Sequence, residues 1–118
     1  MLSSGKLNEL LSIDDLEIAI EESHRRPVLL FKHSITCPIS SRAYDELQSH
    51  LERADSGTSY NLITVQTGRA VSNEASAKLH LHHESPQAIL IRNGHSVWHA
   101  SHGEITAPAL DQAIRRID

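Results

Sequence analysis

The sequence predicts an α/β domain in which helices flank a central mixed four-stranded sheet, with one extra helix in front. Three observations predict it. Apolar runs short enough for strands alternate with segments of helical periodicity. The first run, Val28-Leu29-Leu30-Phe31, is continuous, as in a strand buried on both faces. Asn93-Gly94 separates two strand-like segments, and both of its residues tolerate the positive φ of a tight hairpin turn.

The elements follow in order. Residues 1–6 read as a loose terminus. Ser12 opens a helix: its hydroxyl is placed to cap free backbone N–H groups, and Asp15 is placed to complete a capping box. Ile13, Leu16 and Ile20 form the inner stripe, Glu17, Glu21 and Glu22 face out, and Pro27 closes the segment. After the strand at 28–31, a loop over 33–38 leads into a second helix. Ile39, Ala43, Leu47 and Leu51 line its inner face, Tyr44 widens the stripe, and Asp55-Ser56-Gly57 breaks it. Residues 60–66 read as a β-branched and aromatic strand. Ser72-Asn73 is placed to cap a third helix with Val71, Ala75 and Leu79 inside. Residues 87–92 and 95–100 are the arms of the hairpin. Thr106 caps a last helix with Leu110, Ala113, Ile114 and Ile117 inside, and Arg115 and Arg116 sit where its dipole favours cations. Alternating elements imply right-handed parallel crossovers, and the hairpin then adds an antiparallel strand. This is the order of a single thioredoxin-like domain over residues 1–118.

Composition narrows the function classes. With 118 residues, 39% of them hydrophobic and 22% charged, the chain can bury an ordinary core without metals or disulfides. A net charge of −4 argues against a partner held by phosphate neutralisation, and Arg25-Arg26 and Arg115-Arg116 are too short to be nucleic-acid patches. No apolar run can span a bilayer and no secretory signal is visible, so the expectation is a cytoplasmic protein with no nucleic-acid or membrane partner. One cysteine excludes an internal disulfide.

That cysteine carries the chemistry. Cys37 follows a buried strand and precedes a helix whose first turn accommodates Pro38. At or beside the N-cap, it faces free N–H groups and the positive end of the dipole, which favour thiolate over thiol. A thiol with an ordinary pKa of about 8.5 is expected to be depressed there. The alternative is a small buried hydrophobe, yet this arrangement needs no thiol for packing. Ser40 lies one turn on, on the same face. Dithiol oxidoreductases hold their second cysteine there; a hydroxyl cannot resolve a mixed disulfide, so another thiol must do it from solution. The Thr36 and Ser40 hydroxyls are placed to donate to the thiolate. Ser85-Pro86 directly precedes a central strand. In thioredoxin-like folds that place holds a cis-proline facing the nucleophile, with the backbone of the preceding residue open to an extended substrate. An ordinary trans-proline starting a strand is the alternative.

The segments at 34–41 (SITCPISS), 71–73 (VSN), 83–88 (HESPQA) and 98–102 (WHASH) resemble the bacillithiol system redox-active proteins of the YtxJ type, the monothiol bacilliredoxins. The resemblance runs from about Pro27 to the C-terminus, with Thr-Cys-Pro-Ile-Ser as its most specific motif; an aromatic residue near Gly103 is missing. It implies a thioredoxin-like fold and a thiol–disulfide exchange enzyme that removes bacillithiol from protein cysteines. It implies Cys37 as nucleophile, Ser40 in the resolving place, and Ser85, Pro86 and His102 at the substrate. Bacillithiol is then co-substrate, with no tightly bound cofactor, and the partners are S-bacillithiolated proteins and a low-molecular-weight thiol. Two other readings stay open: a non-catalytic redox-sensing or interaction module, and an iron–sulfur-binding monothiol glutaredoxin-like protein. The latter usually carry Cys-Gly-Phe-Ser, unlike Cys37-Pro38-Ile39-Ser40. Nine histidines include the cluster His80, His82 and His83, but no cysteine or acidic ligand pair accompanies them at metal spacing, so no metal site is assigned.

Overall fold

Side chains alternate across a strand, so a strand that is apolar at every position needs cover on both faces. A computed structural model, which describes residues 7–54 and 57–117, shows that cover. The strands are β1 (Leu7–Glu9), β2 (Val28–His33), β3 (Ser59–Thr64), β4 (Gln87–Arg92) and β5 (His95–Ser101). The helices are α1 (Ile13–Glu22), α2 (Pro38–Arg53), α3 (Arg69–Leu79) and α4 (Ala107–Arg116), with a short 3-10 turn at His102–Glu104. The sheet order is β1-β3-β2-β4-β5. Leu29 and Phe31 of β2 and Ala88 and Leu90 of β4 meet α2 and α4 through Ala43, Leu47, Leu51, Leu110 and Ala113. Val28, Leu30, Ile89 and Ile91 face the other way, onto Leu16 and Ala19 of α1 and Val71, Ala75 and Leu79 of α3.

Local chemistry sets the boundaries. Ser12 Oγ accepts from Asp15 N at 3.1 Å, while the Asp15 carboxylate accepts from Leu11 N at 2.9 Å, one residue before the cap. Thr106 Oγ1 caps Ala109 N of α4 at 3.2 Å. Asn93 and Gly94 have φ of 55° and 79°, which makes the hairpin turn tight. A bulge in β5 follows: Trp98 pairs with Leu90 but Ser96 pairs with Ile91, so Val97 is the extra residue. Trp98 thereby lies half-buried against the α2/α4 cluster.

Several expectations are corrected. The sheet has five described strands rather than four, because Leu7–Glu9 pairs in parallel with β3. The leading helix is therefore part of a β-α unit rather than an addition. β4 runs antiparallel to β2 instead of continuing the parallel set. The reason lies after α3: His80 takes the left-handed conformation (φ 57°), Leu81 N donates back to Ser76 O, and by His83 the chain lies beside Ser72. The helix's travel is undone before β4 begins. α3 starts at Arg69 with Gly68 as N-cap, so Ser72 is an interior, buried residue rather than a cap. A Cβ at Gly68 would sit 3.1 Å from Thr64 O, which favours glycine at this close approach. Ile39 is 51% exposed and is not part of the α2 stripe. The expected loose terminus at 1–6 and the Asp55-Ser56 break lie outside the described residues.

At the far end of the sheet from β2's C-terminus, His50 of α2 is buried between Asp111 of α4 (Nδ1 to Oδ1, 2.5 Å) and the Tyr60 hydroxyl of β3 (2.7 Å). Arg53 holds the other Asp111 oxygen at 2.8 Å. Desolvation pushes the Asp111 carboxyl up, but hydrogen bonds from Arg53 and His50 and their charges outweigh it and hold it below its ordinary value. A depressed carboxylate adds stability above its unfolded-state pKa and loses it as pH falls through the folded value. Asp111→Asn should therefore flatten the acid limb of a stability-against-pH curve while lowering stability at pH 7; an unchanged acid limb in urea titrations would contradict this. No helix among the described residues is long and apolar enough to cross a membrane.

Candidate functional site

Four chain segments meet the sheet at one end because of register. His33 pairs with Thr64, Lys32 with Gln87, and Gln87 with Ser101. The segments 33–40, 65–68, 82–86 and 101–104 therefore gather at the same end of the sheet.

Cys37 is the N-cap of α2, with Pro38 at the first helical position. Its backbone is extended (φ −106°, ψ 121°), as an N-cap requires. Its N–H donates to Ser34 O at 3.3 Å and its C=O accepts from Ser41 N at 3.0 Å. The thiol is free and half-buried, and it makes no capping hydrogen bond. The first turn of α2 thus has no capping side chain, and the positive end of its dipole lies at a sulfur. Ile35 and Ile39, 59% and 51% exposed, form an apolar rim beside it.

Ser40 is fully buried, and its hydroxyl is engaged away from solvent. It accepts from Ser34 N at 2.9 Å and lies 2.7 Å from His33 Nδ1. His33 stacks on Tyr44 (ring centroids 5.0 Å) and on Phe31 (5.8 Å), and burial pushes its imidazole below the usual range. The Thr36 hydroxyl accepts from Gln66 Nε2 at 3.2 Å; the same nitrogen donates to Ser34 Oγ at 2.8 Å, and Ile35 N donates to Gln66 Oε1 at 3.1 Å. Gln66 therefore pins the loop before the nucleophile. Sequence reasoning missed both His33 and Gln66. Register offered a signal for Gln66: extending the β2–β3 pairing by two residues places it opposite Ile35.

The Ser85-Pro86 peptide is cis. His102 N donates to Pro86 O at 3.1 Å, His102 has a left-handed φ of 53°, and its Nε2 lies 3.4 Å from Glu84 Oε1. The structure thus joins His102 to the Ser85-Pro86 loop and joins Thr36 and Ser40 to the loop around Cys37. No hydrogen bond among the described residues connects the two sets. The 420 Å³ cleft lies elsewhere, near Arg92, Trp98 and Arg116 at the opposite end of β4, so it is not the thiol's site. Among the described residues no three His, Cys, Asp or Glu side chains converge as metal ligands.

With this geometry in view, the chain matches the family model of monothiol bacilliredoxin BrxC over residues 8–110. A solved protein described as a candidate oxidoreductase with a thioredoxin fold is 38% identical; the match covers 96% of this chain and 97% of that one, with a TM-score of 0.83. The thioredoxin of Fasciola hepatica is 16% identical (94% and 99% covered, TM-score 0.76), and that of Schistosoma mansoni is 17% identical (100% of both chains, TM-score 0.75). These two show that the fold is shared.

Proposed function

As this chain belongs to the monothiol bacilliredoxin family of thioredoxin-fold proteins, we propose that it removes bacillithiol from protein mixed disulfides in the cytoplasm, with Cys37 as its nucleophile. The observation that carries this reading is the sole thiol of the chain at an uncapped helix start.

The Cys37 thiolate attacks the bacillithiol sulfur of an S-bacillithiolated protein. A new sulfur–sulfur bond forms, the old one breaks, and the protein thiolate leaves and takes a proton from water. Cys37 now carries bacillithiol. A second bacillithiol, as thiolate, attacks that adduct, regenerating the Cys37 thiolate and releasing bacillithiol disulfide. Cys37 stands at the helix start in both steps, as the attacking sulfur in the first and the leaving sulfur in the second. Ser40 occupies the place of a resolving thiol but has no sulfur, so the adduct waits for the external thiol. In this scheme Ser85, Pro86 and His102 border the bound disulfide, Thr36 and Pro38 shape the loop and helix start around the nucleophile, and no tightly bound cofactor takes part.

The deciding experiment uses a bacillithiolated model protein, free bacillithiol and a catalytic amount of this chain. Many turnovers per Cys37 are expected. One stoichiometric transfer with no cycling would replace the enzyme reading with a redox sensor.

A further inference from the structure

One group of buried polar residues has no part in this scheme. Lys32 follows four apolar residues in β2 and is fully buried. Its Nζ donates to Ser76 Oγ of α3 at 2.7 Å and lies 3.2 Å from His83 Nδ1. Ser72 Oγ lies 3.4 Å from the same nitrogen. Gln87, the strand partner of Lys32, donates its Nε2 to His82 O at 3.2 Å. Two neighbouring strand residues thus anchor positions 82 and 83, immediately before Ser85-Pro86.

The directions of these bonds follow from chemistry. An ammonium has donors and no acceptor, so His83 Nδ1 must accept. A neutral imidazole that accepts at Nδ1 carries its proton on Nε2. His83 Nε2 makes no hydrogen bond among the described residues, and the residue is half-buried, two positions from Ser85. We propose that Lys32 locks His83 in its neutral Nε2–H form, as a fixed hydrogen-bond donor to an acceptor oxygen of the mixed disulfide bound beside Ser85-Pro86. The role of His83 rests on the exchange reading above; the lock itself does not.

The surroundings agree. Burial, then the charge of Lys32, pushes His83 below its ordinary range; Glu84 opposes this, and Arg69 and His82 add to it. Those are the charged groups facing it from β2, from α3 and from its own loop, with Ser72 and Ser76 as the neutral ones. Burial brings the Lys32 amine from 10.5 down to about 8, which still leaves it an ammonium at neutral pH.

Long-range 1H–15N spectra of the 15N-labelled full chain test the lock. In the wild type at pH 7, His83 should show a protonated Nε2 and a bare Nδ1, and it should titrate below the ordinary midpoint of about 6.5. In Lys32→Met, the His83 midpoint should rise toward that ordinary value, with burial still holding it below, and its tautomers should mix. This swap replaces a buried cation with a similar apolar chain, which proteins often tolerate. A wild-type His83 that titrates normally, or is protonated at Nδ1, overturns the lock whatever the variant does. For the donor role, His83→Phe should lower kcat/KM with the bacillithiolated model protein by about 3- to 10-fold, the effect of one hydrogen bond. Its Cys37 alkylation rate should stay unchanged. Unchanged kcat/KM overturns the donor role. If the wild type itself does not turn over, the exchange reading fails, while the spectra still decide the lock.

Discussion

Cys37→Ser should abolish turnover of a bacillithiolated protein, down to the rate without protein, and at the same time leave the fold as stable or more stable. The two halves of this result have separate physical causes. An alkoxide cannot form or pass on a disulfide, and the chain has no other sulfur nucleophile except a thioether, Met1. Stability depends instead on the N-cap. Serine is among the best residues there and cysteine is not; the present sulfur makes no capping bond. A serine Oγ that accepts from the first turn could add about 0.5–1 kcal/mol, within the usual range for a cap. Activity measured by release of the protein thiol, together with a urea midpoint for both proteins, separates the outcomes. Retained turnover would remove Cys37 from the mechanism. A markedly lowered midpoint would mean that the thiol is there for packing after all.

This opposition explains why the nucleophile was readable from sequence. Cys37-Pro38 breaks the local preference for a capping hydroxyl while obeying the preference for proline in the first turn. A residue that departs from a local rule in an otherwise consistent segment points to function. The strand at 87–92, the Asn93-Gly94 turn and the caps at Ser12 and Thr106 were legible for the opposite reason: each is set by neighbours within a few residues. β1 was not. Three residues, Leu7 to Glu9, carry no period, and only the open edge of β3 makes them a strand. The start of α3 was misplaced because Ser72 has the chemistry of a cap, but its hydroxyl lies beside His83, a contact 11 residues along the chain. The direction of β4 depends on how 80–86 folds back along α3, which hydrophobic pattern does not report. Lys32 was invisible for a related reason. A strand pattern scores it as an interruption, and only the contacts with Ser76 and His83 account for a buried cation.

The largest loss of stability is expected at Phe31→Ala, and it should reach the site. Phe31 is fully buried in β2 and packs in the cluster with Leu47, Leu90 and Leu110. Truncating a buried phenylalanine costs about 3–5 kcal/mol through lost transfer energy and the cavity left behind. Domains of this kind are stable by only about 5–15 kcal/mol, so the variant should lose a substantial part of its margin, with a fall in melting temperature of roughly 10–20 °C. Phe31 is also the base of an aromatic stack: His33 lies on it at 5.8 Å and on Tyr44 at 5.0 Å, and His33 Nδ1 meets the Ser40 hydroxyl one turn beyond Cys37. Phe31→Leu separates the two effects. It keeps most of the apolar volume, at a cost of about 1 kcal/mol, yet removes the ring face under His33. If the stack orients His33, this milder variant should shift the His33 ring resonances and quicken amide exchange at Ser34, whose N–H donates to Ser40. Wild-type exchange at Ser34 in Phe31→Leu would show that Tyr44 and Ser40 alone hold His33 in place.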